Sequence, residues 1–115
     1  MPKNKRDYNL YIADIEECIK SIELYTKDLT FEKFKNNKMA IDAVVRNIEI
    51  IGEAANNIPK EIKVKHSEVP WNKIIGMRNK IIHEYFGVDI KIIWKTIQRR
   101  IPELKKLINK IKSYR

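Results

Sequence analysis

The sequence predicts an all-α fold: an antiparallel helical bundle of four main helices and one short one. Apolar residues recur at three- and four-residue steps along almost the whole chain, the period of helices that each bury one face. No stretch alternates apolar and polar residues for the length of a strand. Only three Gly and four Pro punctuate 115 residues that are 43% hydrophobic and 34% charged, a composition unlike that of disordered chains or Gly-rich β architectures. A chain of this length fits one domain, residues 1–115, that can fold without metal or disulfide staples.

The first helix is marked by Tyr8, Tyr11, Ile12, Ile15, Cys18, Ile19, Ile22 and Tyr25, with Asp7 as its N-cap. Thr30 can cap a short helix carrying Phe31 and Phe34. A long middle helix follows through Met39, Ala40, Ala43, Val44, Ile48, Ile51, Ala55 and Ile58, and the stretch Asn56-Asn57-Ile58-Pro59 ends it. Residues 59–70 are polar, hold two Pro, and read as a connection with room for one helical turn; His66 reads there as a surface residue without a partner. Pro70 suits the first turn of the next helix, where a missing N–H does no harm. That helix carries Trp71, Ile74, Ile75, Ile81, Ile82, Tyr85 and Phe86, and Gly87 can supply its left-handed stop. Asp89 caps a last segment with Ile90, Ile93, Trp94, Ile97, Ile101, Leu104, Ile108 and Ile111, which Pro102 must kink or split. Both Trp residues read as core anchors rather than platforms for stacking bases.

Charge is polarised along the chain. The net charge is +9, yet residues 7–57 carry −4, whereas residues 89–115 hold nine basic side chains against two acidic ones. Such asymmetry favours an anionic partner on one side: RNA, DNA, a nucleotide or an acidic protein. The longest runs free of Asp, Glu, Lys and Arg are six residues, Tyr8–Ala13 and Ala54–Pro59, too short to cross a membrane. The basic start Met1–Arg6 leads into no apolar run, so no secretory signal is expected. The lone Cys18 falls on an apolar face and reads as a small core residue in a reducing cytoplasm.

Several chemistries drop out. Gly52, Gly76 and Gly87 stand alone, so there is no Gly-rich phosphate loop, and one Cys with two distant His makes no zinc pattern. No metal and no cofactor are expected. The informative run is Gly76-Met77-Arg78-Asn79-Lys80-Ile81-Ile82-His83-Glu84-Tyr85-Phe86, which sets Arg, Asn, His and Tyr within two turns of an otherwise apolar helix. With Arg78 at the origin and about 100° per residue, Asn79 falls near ~100°, His83 near ~140° and Tyr85 near ~340°. Arg78 and Tyr85 share one stripe; Asn79 and His83 share the neighbouring one. A joint site then requires the long Arg side chain to reach round, a distorted helix end, or a second copy of the chain.

The chemistry is narrower than the geometry. His exchanges protons near neutral pH. Arg grips a phosphate through two parallel hydrogen bonds and neutralises charge as it builds. Together they suit metal-free RNA cleavage, with His83 assisting attack by the ribose 2′-hydroxyl and Arg78 steadying the phosphate. Asn79 would orient His83 or substrate, and Tyr85 would bond a phosphate or base. The same residues also fit a polar network between helices. A second polar stripe, Asp42, Arg46, Glu49 and Glu53, runs beside the small residues Gly52, Ala54 and Ala55; it can seat another helix or subunit, or be a solvated face.

The run Arg78-Asn79-x-x-x-His83-x-Tyr85 resembles the Arg-x-x-x-x-His-x-Tyr signature of HepT-like toxins in the HEPN superfamily. The segments Arg46–Ala54, Val69-Pro70-Trp71, Gly76–Asn79, Val88-Asp89 and Trp94 resemble the family's pattern in the same order and spacing. The resemblance implies a homodimeric helical bundle in which signature helices of both subunits line a cleft. It also implies a cytoplasmic, metal-independent endoribonuclease, the toxin of a type VII toxin–antitoxin pair. Its antitoxin would be a minimal (MNT-type) nucleotidyltransferase that adenylylates Tyr85, placing a phosphodiester where an RNA phosphate must sit. Two rival readings are a HEPN module that binds a nucleotide or nucleotidyltransferase without cutting, and a purely structural dimerisation bundle.

Overall fold

A computed structural model describes residues 7–84 and 89–113 of the chain. Among these residues it is an all-α bundle: α1 (Tyr8–Thr26), α2 (Phe31–Lys35), α3 (Lys38–Asn57), α4 (Lys60–Lys65), α5 (Trp71–Glu84), α6 (Ile90–Lys95), a widened π turn over Thr96–Arg100, and α7 (Ile101–Ser113). The four main helical segments are α1, α3, α5 and the α6–α7 unit. The short helices number two, because the polar connection forms α4.

Helices α1, α2, α3 and α6 start where a side chain accepts an orphan N–H. Asp7 Oδ1 takes the Asn9 N–H at 2.9 Å, Thr30 Oγ1 that of Lys33 at 3.2 Å, and Asp89 Oδ1 that of Lys91 at 3.0 Å. Asn37, which the apolar pattern did not single out, caps α3 by accepting from Ala40 at 3.0 Å. Caps of this kind stabilise a helix by about 1 kcal/mol each. Pro70 lies just before α5, and its carbonyl accepts from Lys73 and Ile74. The expected Gly87 stop lies outside the described residues.

The core is built largely from isoleucine. Ile12, Ile15 and Ile22 of α1, Ile48 and Ile51 of α3, and Ile111 of α7 are fully buried, each contributing about 1.5–3 kcal/mol through the water it releases. Helix α3 lies centrally, packed along α1 and along α5. Helices α1 and α7 run antiparallel: Glu16 pairs with Lys112, and Glu23 pairs with Lys105 at 3.0 Å, so rising numbers on one meet falling numbers on the other. Trp94 packs its ring against Phe34 (5.1 Å between centroids) and Phe31 (6.2 Å), tying α6 to α2. Both Trp residues are anchors, as expected.

Pro102 splits the last segment. It has no N–H to give the carbonyl four residues back, and its ring would crowd that carbonyl in a continuous α-helix. The preceding turn widens instead, and the Ile101 N–H reaches the Thr96 carbonyl. The wide turn leaves Ile93, Ile97 and Ile101 all buried.

Three positions depart from the apolar pattern. Met39 is 84% exposed, in the first turn of α3. At the end of α1 Thr26 replaces Tyr25 at the core, its hydroxyl satisfied by the Ile22 carbonyl at 2.8 Å. His66 is a correction: it is only 4% exposed. The chain turns between α4 and α5 there, and buried Val69 and Trp71 draw it inward. Trp71 Nε1 donates to the carbonyls of His66 (3.1 Å) and Lys63 (3.2 Å), while Glu68 lies 3.7 Å from the imidazole.

Cys18 is buried, as expected. Loss of water around it, with Asp14 and Glu17 nearby, pushes its thiol up to about 11. At neutral pH it is an un-ionised core side chain. No helix among the described residues is long and apolar enough to cross a membrane.

Candidate active site

Arg78 stands in the middle of α5, on the face that meets α3. It can lie there because position 52 of α3 is glycine. A Cβ at Gly52 would fall 2.4 Å from Arg78 Cβ, 2.8 Å from Cδ and 2.9 Å from Cγ. Any side chain at position 52 would therefore occupy the space of the Arg78 stem. The small-residue run on α3 thus has a specific use: it gives the arginine a seat on bare backbone.

The seat fixes the stem, and two polar groups turn the head. Arg78 Nη1 donates to Asn79 Oδ1 at 3.2 Å. Arg78 Nη2 faces Glu53 Oε1 of α3 at 3.8 Å. That pair is loose and Glu53 is 63% exposed, so its attraction is screened and contributes no more than about 1 kcal/mol. Arg78 Nε is buried and has no hydrogen-bond partner among the described residues. Leaving a donor of a charged group unsatisfied costs stability in an ordinary fold. The side chain as a whole is 32% exposed, and it is through that exposed part, not through Nε, that an anion can reach the guanidinium.

Of the expected site residues, Arg78 and Asn79 are thus brought together. His83 lies in the last turn of the same helix, which runs unbroken from Trp71 to Glu84. Along such a helix position 83 is about 7.5 Å further on and turned by about 140°. The unbroken helix removes a distorted end from the three routes by which Arg78 and His83 can share a site. The bond to Asn79 swings the guanidinium toward the stripe on which position 83 falls. The His83 side chain and the whole of Tyr85 lie outside the described residues.

The second polar stripe divides. Glu53 faces Arg78, and Asp42 pairs with Lys38 at 3.1 Å. Among the described residues Arg46 and Glu49 form no ion pair. Gly52 and Glu53 were legible as a helix-packing patch, but their assignment to Arg78 was not, because nothing local says which face of α5 crosses them. Gly76 is different: a Cβ there would meet nothing within 4 Å, so packing does not demand it. Among the described residues no group of three His, Cys, Asp or Glu side chains is placed to hold a metal ion.

Comparison with known proteins places the chain in a family. The family model "Ribonuclease HepT-like" matches residues 15–111. The chain is 45% identical over 109 residues to a protein of Thermococcus cleftensis named probable ribonuclease HepT, covering 95% of this chain and 99% of that one. It is 50% identical over 109 residues to a protein of Caldanaerobacter subterraneus named as an RNase, covering 95% of each. A protein of Methanocaldococcus jannaschii, also named as an RNase, is 46% identical over 107 residues, which is 93% of this chain and 88% of that one. No solved structure is a significant match.

Proposed function

Since this chain belongs to the HepT-like ribonuclease family, we propose that it is a metal-independent endoribonuclease in which Arg78 and His83 act on one RNA phosphodiester. The observation that carries this reading is the Arg78 side chain, seated on Gly52 with a buried and unpartnered Nε. A phosphate oxygen bound to the exposed part of the guanidinium would be held by its charge, and the fixed cation would offset charge as it grows on the phosphoryl oxygens.

The step is a transesterification. His83 takes the proton of a ribose 2′-hydroxyl, the 2′-oxygen bonds to the adjacent phosphorus, and the bond from phosphorus to the 5′-oxygen breaks. That oxygen takes a proton from water and His83 returns its own to solvent, giving a 5′-hydroxyl end and a 2′,3′-cyclic phosphate. DNA lacks the nucleophile and is spared. Asn79 is a positioning residue that holds Arg78 through its amide oxygen.

The rotation between positions 78 and 83 supports a site completed by a homodimer, in which one chain's arginine faces the other's histidine across α5. In the full proposal the chain is a cytoplasmic toxin of the type VII kind. Its partner is a minimal nucleotidyltransferase antitoxin that adds AMP to Tyr85. That addition would place a phosphodiester close to Arg78, in competition with RNA.

The test is RNA cleavage in excess chelator by protein of verified unmodified mass, with His83→Ala in parallel. Cyclic-phosphate ends from the wild type alone are expected; equal cleavage by His83→Ala would remove His83 from the mechanism. For the switch, the nucleotidyltransferase with ATP should add the mass of AMP to the wild type and stop cleavage. Tyr85→Phe should stay unmodified, and modification of that variant would place the acceptor elsewhere.

A further inference from the structure

The α6–α7 unit presents two kinds of basic residue. On its flank toward α1, Lys105 and Lys112 are matched by Glu23 and Glu16. Arg100 lies 3.8 Å from Glu103. These charges are already used within the fold.

The outward face is different. Lys91, Lys95 and Arg99 recur at four-residue steps, and Lys106 follows two turns later. All four are exposed, on the side opposite buried Ile93, Ile97, Ile101, Leu104 and Ile108. Among the described residues none of the four has a carboxylate within 4.0 Å. They form a line of open cations about 20 Å long, at ~1.5 Å of helix per residue.

What the face lacks identifies its partner. A protein interface needs an apolar centre with large anchoring side chains. Among the described residues the exposed large hydrophobic ones are Leu10, Leu24, Tyr25, Met39 and Val64, none of them on α6 or α7. A nucleic-acid backbone needs no apolar anchor, only cations repeated along its path. The opposite flank of the same unit meets the helix of the candidate site: Arg100 and Leu104 share a groove with Ile74 and Met77, and Met77 directly precedes Arg78.

We infer that Lys91, Lys95, Arg99 and Lys106 form a phosphate-binding rail that holds single-stranded RNA along α6 and α7, by charge and without reading sequence. The inference rests on the ribonuclease reading but not on which residues cut. Four neutralised phosphates on a single strand give a slope of log affinity against log salt of about −3. Binding should then weaken about 50-fold between 50 and 200 mM salt.

The experiment measures anisotropy of a labelled single-stranded RNA made uncleavable by 2′-O-methyl groups, across a salt series. Wild type is compared with a rail variant carrying Lys91→Gln, Lys95→Gln, Arg99→Gln and Lys106→Gln. A control carries Lys20→Gln, Lys27→Gln, Lys60→Gln and Lys65→Gln, four exposed lysines elsewhere. Helical circular dichroism verifies that each variant is folded. The expected result is a slope no steeper than about −1 for the rail variant, the contact at Arg78 remaining, and a wild-type slope for the control. A wild-type slope in the rail variant, or equal flattening in both, overturns the rail. So does displacement of the RNA by poly-glutamate at lower concentration than by unlabelled RNA, which would make the face a docking site for acidic protein. Cleavage of ordinary RNA by wild type is followed alongside. If it persists while the rail result fails, only the rail is lost; if wild type neither binds nor cuts RNA, the ribonuclease reading is lost with it.

Discussion

Gly52→Ala is the most informative single substitution. It adds one methyl group, and that carbon would lie 2.4 Å from Arg78 Cβ, where ordinary contact begins at 3.4 Å. About 1 Å of relief is needed, and the obstructing atom is fixed to the α5 backbone, so rotamer changes in Arg78 cannot supply it. Either α3 and α5 separate or the arginine's helix shifts. Overpacking of this kind costs about 1–3 kcal/mol, while alanine in place of glycine inside a helix returns about 1 kcal/mol. The net destabilisation is about 0–2 kcal/mol. For a chain of 115 residues each kcal/mol moves Tm by about 4 °C, so Tm should fall by no more than about 8 °C. Activity should fall much further, because a 1 Å displacement of a catalytic group costs about 100-fold in rate. The assay is kcat and KM for RNA well below Tm, beside a thermal melt. Wild-type kcat would refute the seating of Arg78 on Gly52. An activity loss no larger than the unfolded fraction would show a stability effect and no positioning.

Other substitutions test other parts of the structure. Glu53→Gln removes a loose, exposed partner of Arg78; Tm should change by less than about 4 °C, as for any surface pair worth at most about 1 kcal/mol, with RNA cleavage reduced less than tenfold. Trp71→Phe deletes the N–H shared by the Lys63 and His66 carbonyls and should cost about 1–3 kcal/mol in chemical denaturation; an unchanged midpoint would show that water replaces it. Cys18 should resist thiol-labelling reagents at pH 7.5 until the protein unfolds. Its thiol rises from 9.0 to about 11 on folding, so the folded state holds the proton more tightly. That stabilisation is complete below pH 9 and is lost as pH climbs from 9 to about 11. Cys18→Ala should show a shallower loss of stability across that window, and an identical pH profile would mean the thiol ionises freely in the fold.

Much of this molecule was legible before its structure. Periodicity located the apolar faces of α1, α3, α5 and α7, because each is a helix long enough to bury a continuous stripe. Asp7, Thr30 and Asp89 were readable as caps because capping is a local interaction. What escaped depended on contacts between distant segments. His66 looked exposed because its neighbours in sequence are polar, yet the turn between α4 and α5 carries it inward beside Trp71. Asn37 caps α3 from a polar stretch with no apolar pattern to point at it. The π turn was foreshadowed by Pro102 only as a break; which carbonyl would be reached instead depends on how α7 docks on α1. The candidate site divides the same way. Arg78 and Asn79 could be named from one helix, while the glycine that seats Arg78 lies 26 residues earlier on another.

The most direct test of the chemistry uses two RNAs of one sequence, the second with a single 2′-deoxynucleotide at the mapped cleavage site. Unmodified protein acts on both in excess chelator under single-turnover conditions, with Arg78→Ala and His83→Ala beside the wild type. Attack by the neighbouring 2′-hydroxyl, aided by both residues, predicts cutting of the all-ribose strand by wild type alone and no cutting at the deoxy site by any protein. Cleavage at the deoxy position, or full rates from either variant, would contradict it.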